Sequence, residues 1–173
     1  VGAEEGEHLV GRGLIEGRSG AAQPVVERTL AEPDRLLRPR RQTVGNPQVL
    51  AGEKISALAI TEPSGGSDVA QLKTTAKRVG DHYVVNGSKM FITSGVRADF
   101  YTVAVRTGGP GASGVSLLLI ERGMEGFTQQ PLRKMGWWAS DTAQLFFDDV
   151  KVPAENLIGE ENKGFRYVML NFN

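Results

Sequence analysis

The chain has no cysteine among its 173 residues. Disulfide frameworks, thiolate metal sites and thiol nucleophiles are therefore excluded. Histidine is scarce as well, with only His8 and His82. Any histidine-containing triad must use one of these, and no ligand cluster points to a metal. An excess of either charge is also missing, since 20 Lys and Arg balance 20 Asp and Glu. Nothing therefore argues for nucleic acid or an acidic membrane surface as partner. No apolar run approaches the roughly 20 residues of a membrane span. No secretory signal is visible at the start. The chain opens on Val1 rather than Met, the expectation for a fragment. Its length allows one domain with a real core.

Aromatic residues are absent before Pro47. That stretch is rich in Gly, Arg, Glu and Pro and keeps no period of 2 or 3.6. It buries too little apolar surface to offset chain entropy, so residues 1–46 are expected to be poorly ordered. A short helix is expected around Val25 to Leu37. The basic run "LLRPRRQ" reads as solvated coil, because no aromatic is interleaved for base stacking.

After Pro47 the chain reads as β. "KISALAIT" is an apolar strand ending at Pro63. "QLKTTAKRV" alternates Leu72, Thr74 and Ala76 against Lys73, Thr75 and Lys77, the period of a half-buried strand. In "HYVVNGSKMFIT", Asn86-Gly87 predicts a type I′ hairpin turn between two short strands. "FYTVAVRT" and "GVSLLLIER" give another strand pair, and "FTQQPLRK" and "AQLFFDDVKVP" complete the set of strands. The expected fold class is mainly β, an antiparallel barrel or sandwich. The end is helical, with Phe165, Val168, Met169 and Phe172 on one face.

Three short motifs invite functional readings. "GPGASG", Gly109 to Gly114, matches G-x-G-x-x-G, but a strand follows where a dinucleotide site needs a helix. It reads as a flexible hairpin loop. Asp148-Asp149 are neighbours on a strand, so they point to opposite faces and cannot flank one bond. His82 reads as an exposed turn residue. "TEPSGGS" is different: glycines let backbone amides converge, and Ser64, Ser67 and Thr61 can add hydroxyls. An anion-binding nest and an ordinary Gly/Ser turn both fit this spacing.

The segment "ALAITEPSGGSDVAQLKTTA" resembles the acyl-CoA dehydrogenase signature T-E-P-x-x-G-S-D. "GDHYVVNGSKMFITSG" and "KMGWWASDTAQLFFDDVKVPAENLIGEENKGF" resemble the next two motifs of that family, in the same order. The resemblance covers Pro47 to Asn173 and implies an FAD enzyme that oxidises the α,β C–C bond of an acyl-CoA thioester. It implies that Thr61 meets the flavin pyrimidine edge. Gly65, Gly66 and Ser67 are then expected at the FAD pyrophosphate, with Ser67 also near the substrate's pantetheine arm. Phe91, Ile92 and Thr93 fall where the family packs on the flavin and bonds its N5 region. Leu58 and Ile60, on the strand before the turn, complete the implied cofactor set.

The family's general base lies in a C-terminal helical bundle, so no catalytic residue is expected in this chain. The expected division is a non-family or disordered segment at 1–46, an FAD-binding β-domain at 47–160, and the start of a truncated helical domain at 161–173. A shifted reading frame or misjoined exon is one hypothesis for residues 1–46, which the coding DNA decides. Partners implied by the resemblance are an acyl-CoA thioester, an electron-transfer flavoprotein or similar acceptor, and further copies of the full-length chain. No nucleic acid or membrane span is expected. The implied compartment is bacterial cytoplasm or mitochondrial matrix. Alternatives are an acyl-CoA oxidase or flavin monooxygenase of the same superfamily, or a non-catalytic β-sandwich binding module.

Overall fold

The structure, a computed structural model, describes residues 47–171. The expectations for residues 1–46, for Val25 to Leu37 and for Phe172 lie outside the described residues. After a helical turn at 47–50, the strands are β1 (Ser56–Ala59), β2 (Thr75–Val79), β3 (His82–Thr93), β4 (Phe100–Arg106), β5 (Val115–Glu121), β6 (Phe127–Pro131), β7 (Thr142–Pro153) and β8 (Leu157–Ile158). One helix, α1 (Gly164–Asn171), follows them. The sheet runs β6-β7-β3-β2-β4-β5-β8, with β1 alongside β4. The fold is mainly β, as expected from the spacing of strands and turns. It is mixed rather than wholly antiparallel, because β1 and β2 both lie parallel to β4. These parallel contacts join strands that are not neighbours in sequence, so no local turn signal announces them.

The alternation at Leu72 to Lys77 is realised: Leu72, Thr74 and Ala76 are buried, and Lys73, Thr75 and Lys77 are exposed. The strands β4 and β5 are apolar almost throughout because both of their faces are covered. Val103, Val105, Leu118 and Ile120 enter the larger core, with Tyr83, Val85, Leu145 and Val150. Ala104, Val115 and Leu117 enter a second core with Ile60, Leu72 and Val168 of α1. Phe165 and Met169 pack against that second core, as the helical spacing predicted.

The Asn86-Gly87 hairpin is a misreading. β3 runs unbroken through both residues, and the turn joining β2 to β3 is at Gly80-Asp81, with Val79 opposite His82. Asn86 instead sits at a bulge, where Val85 faces Val150 but Gly87 faces Phe147. The Asn86 side-chain amide donates to Asp149 Oδ1 at 2.8 Å and accepts from the Asp149 amide at 2.9 Å. Gly87 is required by close approach, since a Cβ there would stand 2.7 Å from Thr74 Cα. The same bulge corrects the reading of Asp148-Asp149: both are exposed, and Asp149 takes φ 49°. They remain surface residues at the bulge rather than a facing pair.

Candidate functional site

The site is built where β1 ends. Glu62, Pro63, Ser64 and Gly65 form a tight turn closed on itself. The Glu62 amide donates to Gly65 O, and the Gly65 amide donates to Glu62 O, each at 3.1 Å. The Gly65 amide is thus occupied within the turn rather than open to an anion. Gly66 and Ser67 are exposed, and their amides donate to no other described residue. A Cβ on Gly66 would stand 2.9 Å from Thr61 Cγ2 and 3.3 Å from Thr61 Oγ1. The Thr61 side chain therefore packs directly on the Gly66 backbone, a close approach that only glycine permits. Asp68 ends the cradle, its carboxylate accepting from the Ala70 amide at 3.1 Å.

The second wall comes from β3. The Met90 amide donates to Thr61 O at 2.8 Å, which ties β3 to the cradle. A bulge falls at this point, because Lys89 faces Leu145 but Ile92 faces Ala143. Phe91 takes φ 61° within the bulge, and the residue is 63% exposed. Ile92 returns to the core and Thr93 faces out again. Left-handed backbone at a bulky residue is costly, so the surrounding pairing must impose it.

The sequence-implied residues thus divide. Thr61, Gly66 and Ser67 come together, and the Met90–Thr61 bond brings the Phe91–Thr93 stretch beside them. The side chains of Leu58 and Ile60 pack on the second core, and Ile92 fills the first. For Ile60 and Ile92, which are buried, the main chain is what can face a ligand.

Two further groups hold the site and were not singled out from sequence. Lys89 is fully buried, donating to Glu62 Oε1 at 2.8 Å and to Ile60 O at 3.0 Å. Glu62 also accepts from the amides of Lys73 at 2.6 Å and Thr74 at 2.9 Å. Burial pushes the Lys89 ammonium down to about 8, against the opposing pull of the Glu62 carboxylate. Burial also works to raise the Glu62 carboxyl. The Lys89 charge and the hydrogen bonds from Lys89, Thr74 and Lys73 outweigh it and hold that carboxyl below its ordinary value. A signal for Lys89 was present. It continues the inward phase of Tyr83 and Val85 along β3, and a charge in that phase requires a buried partner.

The other group is Arg106. Its guanidinium donates to Leu72 O at 2.9 Å, Ala70 O at 2.7 Å, Gly109 O at 2.5 Å and Gly111 O at 3.2 Å. It fixes the turn that follows the cradle and pins the Gly109–Gly114 loop between β4 and β5. Beyond β3, Asp141 accepts from the amides of Val96 and Arg97 and from Arg97 Nε at 2.6 Å. Burial works to raise the Asp141 carboxyl, but these donors hold it below the ordinary value. Met135, Trp137 and Trp138, in the loop before β7, are largely exposed.

The fold has counterparts among known proteins. Residues 57–150 match the acyl-CoA dehydrogenase middle domain as a family. The rat (Rattus norvegicus) long-chain specific acyl-CoA dehydrogenase, mitochondrial, is 50% identical over 127 residues, covering 71% of this chain and 30% of its own length. A probable acyl CoA dehydrogenase from Mycobacterium abscessus superposes with a TM-score of 0.76 at 57% identity, covering 78% of this chain and 36% of its own. An acyl-CoA dehydrogenase from Geobacillus kaustophilus gives a TM-score of 0.77 at 46% identity, covering 84% and 39%. The chain spans about a third of the length of these relatives.

Proposed function

The chain belongs to the acyl-CoA dehydrogenase family, and on that premise we propose that it is the flavin-holding β-domain of an enzyme that oxidises the α,β C–C bond of an acyl-CoA thioester. The observation that carries this reading is the exposed turn in which Gly66 packs on Thr61, with the amides of Gly66 and Ser67 donating to no other described residue. These groups fit the pyrophosphate of FAD: open donors on an uncluttered backbone, with hydroxyls beside them. Thr61 would bond the pyrimidine edge of the flavin. Phe91, lifted out by its bulge, offers an aromatic face for the ring system. Thr93 would donate near N5. When bound, FAD supplies an acceptor for the hydride that leaves the substrate's β-carbon.

This chain's own residues bind and orient. Ser67 stands at the open end of the cradle, where it can also meet the pantetheine arm. The carboxylates beside the cradle are both engaged, Glu62 with Lys89 and Asp68 with the Ala70 amide. Neither is free to take the α-proton, so the general base comes from outside the described residues. The exposed Met135, Trp137 and Trp138 favour burial of this face against further parts of the full-length protein or a second copy. Among the described residues no helix is long and apolar enough to cross a membrane. The full-length enzyme is read as passing electrons to an electron-transfer flavoprotein or similar acceptor, in bacterial cytoplasm or mitochondrial matrix.

Flavin absorbance of the purified protein tests the reading, and a non-flavin binding module would show none. In a full-length protein carrying this domain, Thr93→Ala should shift the flavin potential and slow its reduction. One such hydrogen bond is worth roughly 0.5–1.5 kcal/mol. An unchanged potential and an unchanged rate would remove Thr93 from the site.

A further inference from the structure

Lys89 is the one buried cation among the described residues, and no step of the proposed reaction uses it. It spans two consecutive features of the cradle. One of its bonds goes to Ile60 O, the last residue before Thr61, and the other to the Glu62 carboxylate, the first residue of the turn. Glu62 in turn takes the amides of Lys73 and Thr74, which lead into β2. The main chain of the adjacent Met90 donates to Thr61 O from the same strand. Residues 60, 61 and 62 are thus each bonded to Lys89 or Met90 of β3, while everything from Pro63 to Asp68 is exposed.

We propose that the Lys89–Glu62 pair is a positioning clamp for the flavin cradle: it fixes the main chain on both sides of Thr61, and so sets how Thr61 meets Gly66. Lys89 touches neither cofactor nor substrate. It acts through Glu62 and Ile60. The chemistry explains why a charged pair stands here. The turn needs an acceptor for two amides of the strand beside it, and a carboxylate accepts both at once. A buried carboxylate then requires a buried cation. A lysine on the inward phase of β3 supplies that charge and keeps a donor for Ile60 O. Arg106 holds the far side of the same segment through Ala70 and Leu72, so the exposed cradle hangs between two cations.

The inference rests on the flavin reading for its purpose but not for its geometry, and the test separates the two. Lys89→Met, Glu62→Gln and a distant core control, Leu118→Ala, are made in the 173-residue chain. Leu118 lies in the larger core, away from the Ile60–Leu72 cluster under the cradle. Amide exchange is followed at Gly65, whose N–H closes the turn, and across β4 and β5. FAD is titrated by its fluorescence. Both clamp variants should speed exchange at Gly65 about tenfold or more while sparing β4 and β5. Lys89→Met should also weaken FAD binding about tenfold or more, which Leu118→Ala should not. If Lys89→Met does not fold, Glu62→Gln decides by the same readings. Gly65 exchange that is unchanged, or that rises only in step with β4 and β5, overturns the clamp. If the unaltered chain takes up no FAD at all, the flavin reading fails, and exchange at Gly65 still decides the clamp.

Discussion

Gly66 carries more of the site than its size implies. A single methyl group there would meet Thr61 Cγ2 at 2.9 Å. Threonine is stiff about χ1, so the side chain cannot simply swing aside. Gly66→Ala should therefore push the Gly66–Ser67 main chain away from Thr61. Because the residue is exposed, the fold should lose little. The expected outcome is flavin binding weakened by about tenfold or more, with a thermal midpoint close to that of the unaltered chain. Equal affinities in a fluorescence titration would show that the Thr61–Gly66 turn is not the binding surface. Glycine, serine and proline at 63–67 were legible as a special turn from composition. Which amides stay open was not, because that depends on Glu62 and Gly65 bonding each other.

At the scale of elements, two carboxylates hold the turns around the site. Glu62 secures the cradle to β2 and β3. Asp141 secures the loop after β3, where Tyr101 adds a second anchor by donating to Gly95 O at 2.9 Å and Ala98 O at 3.2 Å. Both carboxyls sit below their ordinary values of 4.5 and 3.8. The folded chain thus holds these protons more weakly than the unfolded chain does. Their contribution is fully present above those values and is lost as pH falls through the folded ones. The thermal midpoint should decline as pH drops below 4.5, and Glu62→Gln should flatten the decline while lowering the midpoint at neutral pH. A midpoint that stays level from about pH 6 to pH 3 would contradict this account. Elements with a local cause were readable in advance. The alternation from Leu72 to Lys77 and the stripe of Phe165, Val168 and Met169 announced their structures. Asn86-Gly87 misled because its partner, Asp149, lies on β7, far along the chain. A bulge is a tertiary feature, and a two-residue window sees only the turn that the same pair favours.

At the scale of the whole molecule, the two carboxylates beside the proposed cradle, Glu62 and Asp68, are both engaged among the described residues. Purified as 173 residues with excess FAD, a series of acyl-CoAs and a dye acceptor, the chain should show no turnover. Positioned general-base catalysis is commonly worth about 10²–10⁴-fold, and Glu62 is locked away from that role. Turnover near that of an intact relative would mean that a carboxylate within this chain does the work. The long pairing of β3 with β7 bears on how such a chain is made. Their partnered residues stand some fifty to seventy positions apart, yet these are the two longest strands of the sheet. At roughly 5–20 residues per second of synthesis, β3 waits on the order of seconds with one edge bare. During that interval β2 covers its other edge, and the bare edge is open to any neighbouring strand. Nascent chains stalled before Thr142 should therefore be cleaved within β3 by added protease, and chains stalled well beyond Pro153 should resist. Equal resistance of the two would mean that another segment shields β3 in the meantime. The ribosome, in effect, hands this protein a bare template long before the strand that conceals it.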